Sequence, residues 1–265
     1  MAKIIILIDN NHMNILNKDM NILNKDILLE DFVNIDINDK EYRSCMLEVN
    51  NNLGKLTFIL GYINMDLNRY YDVIPQDDTL VKGTFYINAN YVDNNIITQH
   101  PLPQTEGHFW EMISSHNKKI IVMLNNFDGK FQQYWNDSFS SILEENSSFV
   151  IRNIGNIVHC NYYTWEDKSI PNIHSFLEFY YKIERYPGFY DGIVIHCGAG
   201  IGRSGVFAFI YCVMTLLRSG SKYINVYDTL LHLRKQRVRL IQNIEQLKFC
   251  IECLKKIIKD FYLLC

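Results

Sequence analysis

Cys197 and Arg203 flank a five-residue turn in the segment IHCGAGIGRSG (195–205), and between them lie Gly198, Ala199, Gly200, Ile201 and Gly202. Three glycines and one alanine let backbone N–H groups approach a ligand without obstruction by side chains. The run before the turn, DGIVIHC (191–197), is continuously apolar and β-branched, as in a strand buried on both faces. The run after it, RSGVFAFIYCVMTLLRSG (203–220), has helical apolar spacing, and Gly220 suits its C-terminal stop. A turn that enters a helix N-terminus presents unpaired N–H groups and the positive end of the helix dipole, a setting for a dianionic phosphate. A cysteine at the start of such a turn faces that potential, and thiols so placed have pKa values of roughly 3.5–7.5. Arg203 opens the helix with a planar guanidinium that can hold two phosphate oxygens at once, which a lysine could not copy. A deprotonated nucleophile and a bidentate arginine around one phosphate-sized cradle make a site for phosphoryl transfer.

C-x5-R alone recurs by chance, and a cysteine at the end of a buried strand is usually inert core. The turn nevertheless fits neither G-x-x-x-x-G-K-[ST] nor G-x-G-x-x-G, which sets nucleotide-binding loops aside.

HCGAGIGRSG (196–205) resembles the signature loop of the protein tyrosine phosphatases, H-C-x-x-G-x-x-R-[ST]-G. LNRYYDV (67–73) resembles that family's K-N-R-Y-x-D-[IV] segment, and FYINANY (85–91) its D-Y-I-N-A-[SN]-x segment. IITQHPLPQTEGHFWEMI (96–113) resembles Q-G-P-x-x-x-T-x-x-x-F-W-x-M, with His100 in place of glycine. TWEDKSIP (164–171) resembles the mobile acid loop T-W-P-D-x-G-x-P, and LRKQRVRLIQNIEQ (233–246) the last motif, with its two glutamines four apart. Six motifs stand in the family's order, and the resemblance extends over almost the whole of 27–265.

The resemblance implies the following roles. Cys197 is the nucleophile that forms a phosphocysteine, the backbone of Gly198, Ala199, Gly200, Ile201 and Gly202 binds phosphate oxygens, and Arg203 stabilises the transition state. Ser204 assists departure of the thiolate, Asp167 is the general acid, Gln242 positions the hydrolytic water with Gln246 in support, and His196 helps keep the thiolate low in pKa. Tyr70 stacks on the substrate ring and deepens the pocket, which favours phosphotyrosine over the shorter phosphoserine. Asp72 holds the substrate backbone, and Lys130, at the start of KFQQYW (130–135), contacts the acid loop. Arg239 stands where the family commonly has glycine; it either fills the gateway beside the pocket or swings into solvent. Glu166 replaces the acid loop's proline and Ser169 its glycine, and Asn243, Leu67 and Leu80 are further departures. Expected activity is therefore hydrolysis of phosphotyrosine in proteins, with two alternatives: a weakly active or inactive phosphotyrosine-binding trap, or a dual-specificity phosphatase. The resemblance implies neither cofactor nor metal.

These residues need a framework to position them. KKIIVMLN (118–125) reads as a second buried strand, and 170–186, 226–237 and 244–262 as helices, which together give an α/β domain. The resemblance implies one domain, 27–265, with a central twisted mixed β-sheet flanked by α-helices. Residues 1–26 read as an N-terminal extension in which MNILNKD occurs twice, at 13–19 and 20–26. Two copies can extend an amphipathic helix but cannot build a solenoid or a sustained coiled coil; a duplication in a tolerant extension is the preferred reading.

The 265 residues, about a fifth of them charged and with a net charge of -3, are those of a globular chain with no bias toward nucleic acid. Seven irregularly spaced cysteines argue for a reduced, intracellular protein, and Cys250 and Cys253 sit in an apolar helical run as core residues. No stretch reaches the length of a membrane span, and a cytoplasmic monomer is expected. The Asn- and Ile-rich composition suits an AT-rich genome, and a short stand-alone domain is similar to the tyrosine phosphatases of insect-infecting viruses such as bracoviruses.

Overall fold

A computed structural model describes residues 21–127 and 129–261. The chain enters through a 3-10 turn at Ile22–Asn24 and a short strand, β1 (Ile27–Leu28), followed by α1 (Leu29–Phe32) and α2 (Asp39–Asn51). Asn38 and Glu41 close a reciprocal capping box at the start of α2, satisfying two otherwise orphaned N–H groups. After α3 (Ile59–Ile63) come the hairpin β2 (Ala89–Val92) and β3 (Asn95–Gln99), α4 (Glu106–Ser115) and β4 (Ile120–Met123). An antiparallel meander follows: β5 (Ser140–Glu145), β6 (Phe149–Ile154) and β7 (Ile157–Tyr162). The remainder is α5 (Ile173–Glu184), β8 (Val194–Cys197), α6 (Arg203–Arg218), β9 (Tyr223–Ile224), α7 (Val226–Gln236) and α8 (Ile244–Phe261).

Seven strands form one mixed sheet in the order β2-β3-β8-β4-β7-β6-β5, with β3, β8, β4 and β7 parallel. Its centre is apolar on both faces because both are covered. Ile120, Val122 and Ile195 face a core shared with α5, α6 and α8, whereas Ile121, Met123 and Val194 pack with Phe109, Met112 and Ile113 of α4. This period of two in β4 and β8 is what a strand sandwiched between helix layers requires. β1 pairs with β9 in a separate two-stranded ribbon, Ile27 opposite Ile224.

The four helices expected from spacing are present with trimmed ends. α5 begins only after Asn172, whose side chain accepts from the N–H groups of His174 and Ser175. α6 ends in a Schellman arrangement: Gly220 takes φ +93°, its N–H donates to Leu217 O, and Ser221 N–H donates to Leu216 O. Cys250 and Cys253 are fully buried in α8. The first copy of the heptapeptide lies outside the described residues. The second, from Asn21, is not helical beyond its 3-10 turn; Leu23 is fully buried, Asn21 donates to Glu41 O and Asn24 to the Glu48 carboxylate. Among the described residues no helix is long and apolar enough to cross a membrane.

Candidate active site

β8 delivers Cys197 to the carboxyl edge of the sheet, and α6 starts at Arg203 with no side-chain cap on its first turn. The intervening turn is held by its carbonyls. His100 N–H donates to Cys197 O (2.8 Å) and Gly198 O (3.1 Å), and Ile241 N–H donates to Ile201 O (2.9 Å). Arg237, buried at 2% exposure, donates through Nε to Gly200 O (2.7 Å) and through Nη2 to Ala199 O (3.2 Å). Its remaining donors reach Asn90 and Asn88. With the carbonyls so engaged, none of the N–H groups of residues 198–203 has a protein acceptor among the described residues. The glycines are steric requirements: Gly200 takes φ +69° with its Cα against the Thr98 carbonyl, and a Cβ on Gly202 would collide with the Gln242 amide.

Arg203 is almost wholly buried and reaches the acid loop. Nη1 donates to Trp165 O (2.8 Å) and Nη2 to Asp167 Oδ1 (3.1 Å), while Nε has no protein partner among the described residues. Asp167 is 65% exposed, so this ion pair is weak and can open. The loop is anchored by Trp165, whose buried ring packs edge-on against Tyr162 and Phe176 and whose Nε1 donates to Ser169 O. Ser169 closes the turn by donating from Oγ to Glu166 O, and Lys168, not Ser169, takes the positive φ (+60°). Asn243 ties the loop to the glutamine segment through Lys168 O.

Ser204 Oγ, on the first turn of α6, and Gln246 Nε2, on α8 beside Gly202, are fully buried without a protein partner among the described residues. Gln246 Oε1 accepts from Gln242 N–H (2.9 Å). Together with Arg203 Nε, Ser204 Oγ and Gln246 Nε2 make three orphaned buried polar atoms around one turn, which marks a place built for a polar ligand. Tyr70 and Phe131 stand over it: a Cβ built on Gly198 lies 2.7 Å from Phe131 Cζ and 3.5 Å from Tyr70 Oη. Burial raises the Tyr70 pKa, helped by the Asp167 charge, so the phenol is neutral. Arg69 crosses behind, stacking on Phe131 and donating to the carbonyls of His100, Pro101 and Lys130.

Asp72 and Arg239 lie at the rim and engage each other. Arg239 Nη1 is 3.0 Å from Asp72 Oδ2 and also donates to Asp72 O. Arg239 and Ile241 both take positive φ, +66° and +62°. The arginine is therefore tied to Asp72 rather than swung free into solvent. His196, wholly buried, meets Tyr134 Oη at 2.7 Å through Nε2, and burial lowers its pKa well below the usual value, so it is neutral. Tyr134, Arg237 and the His100 backbone are contributions that motif matching assigned no role. Their signal in the sequence is faint: Asn88 and Asn90, polar residues two apart where the chain enters β2, which need a buried donor nearby.

The sequence profile of the protein-tyrosine phosphatase family matches residues 64–155 and 144–256. The human tyrosine-protein phosphatase non-receptor type 2 is 35% identical over 227 residues, covering 70% of this chain and 54% of the relative. The rat tyrosine-protein phosphatase non-receptor type 20 is 31% identical, covering 74% and 55%, and the Drosophila melanogaster non-receptor type 61F protein is 32% identical, covering 76% and 44%. The chain spans about half the length of these curated relatives.

Proposed function

The chain belongs to the protein-tyrosine phosphatase family, and on that premise we propose that it hydrolyses phosphotyrosine in proteins through a phosphocysteine intermediate. The observation that carries this reading is the turn itself: six unpaired N–H groups and an unpaired Arg203 Nε around Cys197, with the Asp167 carboxylate tethered across it. In the first step the Cys197 thiolate attacks phosphorus and the tyrosine oxygen leaves, taking a proton from Asp167. In the second, water attacks the phosphocysteine, Asp167 recovers a proton from that water, and the thiolate departs with Ser204 as hydrogen-bond donor, releasing inorganic phosphate. Gln242, held by Gln246, orients the water. N–H groups fixed before the reaction stabilise the developing charge without reorganisation. Tyr70 over the turn favours an aryl phosphate long enough to reach Cys197, and Asp72 and Lys130 are proposed to contact substrate backbone and acid loop. His196, neutral and held by Tyr134, acts by positioning the strand end. Residues 27–265 are proposed as the catalytic domain of a cytoplasmic monomer, with 1–26 as an extension.

Turnover of an aryl phosphate tests the reading. Cys197→Ser is expected to abolish turnover while retaining phosphopeptide binding, because the cradle is unchanged and a serine offers no accessible anion. Arg203→Lys should also lose activity heavily, since a point charge cannot replace the fork. Near wild-type hydrolysis by Cys197→Ser would overturn the mechanism; binding without turnover in the wild type would favour a trap.

A further inference from the structure

Asp93, Cys212 and His232 have no part in the chemistry above, yet their side chains meet. Asp93 sits in the β2–β3 turn with φ +54°, Cys212 lies nine residues beyond Arg203 on α6, and His232 lies on α7. The thiol sulfur, a ring nitrogen and a carboxylate oxygen lie within 4.8 Å of one another. At 1.5 Å per residue, Cys212 is about 14 Å along the helix from the phosphate turn. We propose that these three side chains form a zinc site, separate from the Cys197 pocket, with a fourth position open to water.

The donor set selects the ion. Sulfur, imidazole nitrogen and carboxylate oxygen from three different elements are the ligands zinc takes tetrahedrally, whereas magnesium and calcium require oxygen shells. Charge also balances: a thiolate and a carboxylate neutralise a dication, so the half-buried sulfur carries no net charge into its surroundings. Burial, with the Asp93 charge adding to it, pushes the Cys212 thiol up to about 12, so the free thiol keeps its proton. On binding, that proton goes to solvent and the sulfur–zinc bond replaces the sulfur–hydrogen bond.

A second observation is the set of polar contacts that converges on His232 and Asp93. Gln236, one turn further on, accepts the Asp93 N–H on Oε1 (2.7 Å), which fixes its amide orientation. Its Nε2 then lies 3.0 Å from His232 Nε2 and 3.3 Å from Asp93 Oδ1, while His232 Nε2 is 2.7 Å from that same oxygen. With a proton on Nε2, His232 donates to Asp93 Oδ1, and the Gln236 amide donates to that oxygen and to His232 O (3.2 Å). Without it, a lone pair faces a carboxylate oxygen across 2.7 Å. A dication in place of that proton accepts both the nitrogen and the oxygen and leaves the Gln236 amide donating to the carboxylate and to His232 O. Ligand bonds of roughly 2.0–2.3 Å set ligand separations near ~3.3 Å or more. His232 and Asp93 must therefore part slightly, and both are exposed enough to do so.

The probes are zinc alone, by calorimetry, and cobalt(II), by absorption, on the full chain carrying Cys197→Ser so that the pocket thiol cannot bind metal. Expected are one equivalent of ion and a thiolate-to-cobalt charge-transfer band. Adding Cys212→Ser should abolish the band. His232→Ala should weaken zinc at least ten-fold, and Gln236→Ala, which touches only the ligands, about 10–100-fold. Because His232 is exposed, its variant keeps the fold and decides the question even if Cys212→Ser is destabilised. A band that survives Cys212→Ser, unchanged affinity in His232→Ala, or no uptake of zinc at millimolar concentration would each overturn the proposal.

Discussion

Glu166 and Asp167 carry the same functional group one residue apart, but only Asp167 reaches Arg203. Asp167→Ala is therefore expected to lower kcat by about 10²–10⁴-fold and to retain bound substrate, with Glu166→Ala mild. A larger loss from Glu166→Ala, in the same steady-state assay, would move the acid by one residue. The rim pair allows a second expectation. Arg239 lies beside the substrate path with its charge shared with Asp72, 46% and 73% exposed. Acidic residues next to the phosphotyrosine should compete with Asp72 for the guanidinium and raise kcat/KM, and the gain should shrink with salt. Arg239→Gly removes a left-handed arginine and releases Asp72, so it should admit bulkier aryl phosphates and weaken the acidic preference. Identical substrate rankings for the two proteins would end the idea. Cys197, Arg203 and the glycines between them are legible in the sequence because their spacing is local. The Arg239–Asp72 contact is not, since the partners are 167 residues apart and their meeting depends on how two loops pack.

At the scale of elements, α7 ends by feeding Arg237 beneath the phosphate turn. Among the described residues Arg237 has no acidic partner; burial lowers its pKa to about 10, with the Cys197 charge acting the other way. It donates to two cradle carbonyls and two buried asparagines, so Arg237→Met leaves four acceptors unpaired. With charged hydrogen bonds contributing roughly 1.5–3 kcal/mol each, the variant should lose at least ~2 kcal/mol in urea unfolding. It should lose aryl phosphatase activity out of proportion to the fraction unfolded. Activity that simply follows the folded fraction would mean Arg237 only supports the fold. The N-terminal element gives a parallel case: Leu23, in the second heptapeptide, is fully buried in the main core, and Leu23→Ala should cost about 2–5 kcal/mol. An unchanged unfolding midpoint would show that residues 21–26 dock without stabilising. The strands and helices around the site are legible because each has a long buried stripe. The β5–β7 meander is less so. β5 is an edge strand exposed along most of its length and lacks the alternation that marks a half-buried strand. A hairpin signal at Gly155, with φ +59° between two β-branched runs, is present for β6 and β7.

Across the whole molecule, the centre of the sheet is built on uncharged imidazoles. His196 and His159 both contact Tyr134 Oη at 2.7 Å through Nε2, and one hydroxyl proton can serve only one of them. The other ring must carry its own proton on Nε2, so the two histidines hold opposite tautomers. His100 is also neutral: one ring nitrogen faces Gln132 O and the other the Asn125 amide. Burial lowers the pKa of His100 to about 4, of His159 to about 3, and of His196 well below the usual value. The sign follows from the reference state. Unfolded histidine titrates near 6.5, so between that value and the folded pKa the unfolded chain binds protons the folded chain refuses. Stability is unaffected by these groups above pH ~6.5 and falls as pH drops toward ~4, by up to about 1.4 kcal/mol per pH unit for each histidine. Urea unfolding between about pH 7 and pH 4.5 should show a slope steeper than one proton can give. His100→Gln should reduce that slope by close to one proton, because glutamine keeps a donor for Gln132 O and cannot ionise. If the slope is the same in the variant, His100 is protonated in the folded state, and the neutral centre assigned to the sheet is wrong at that position.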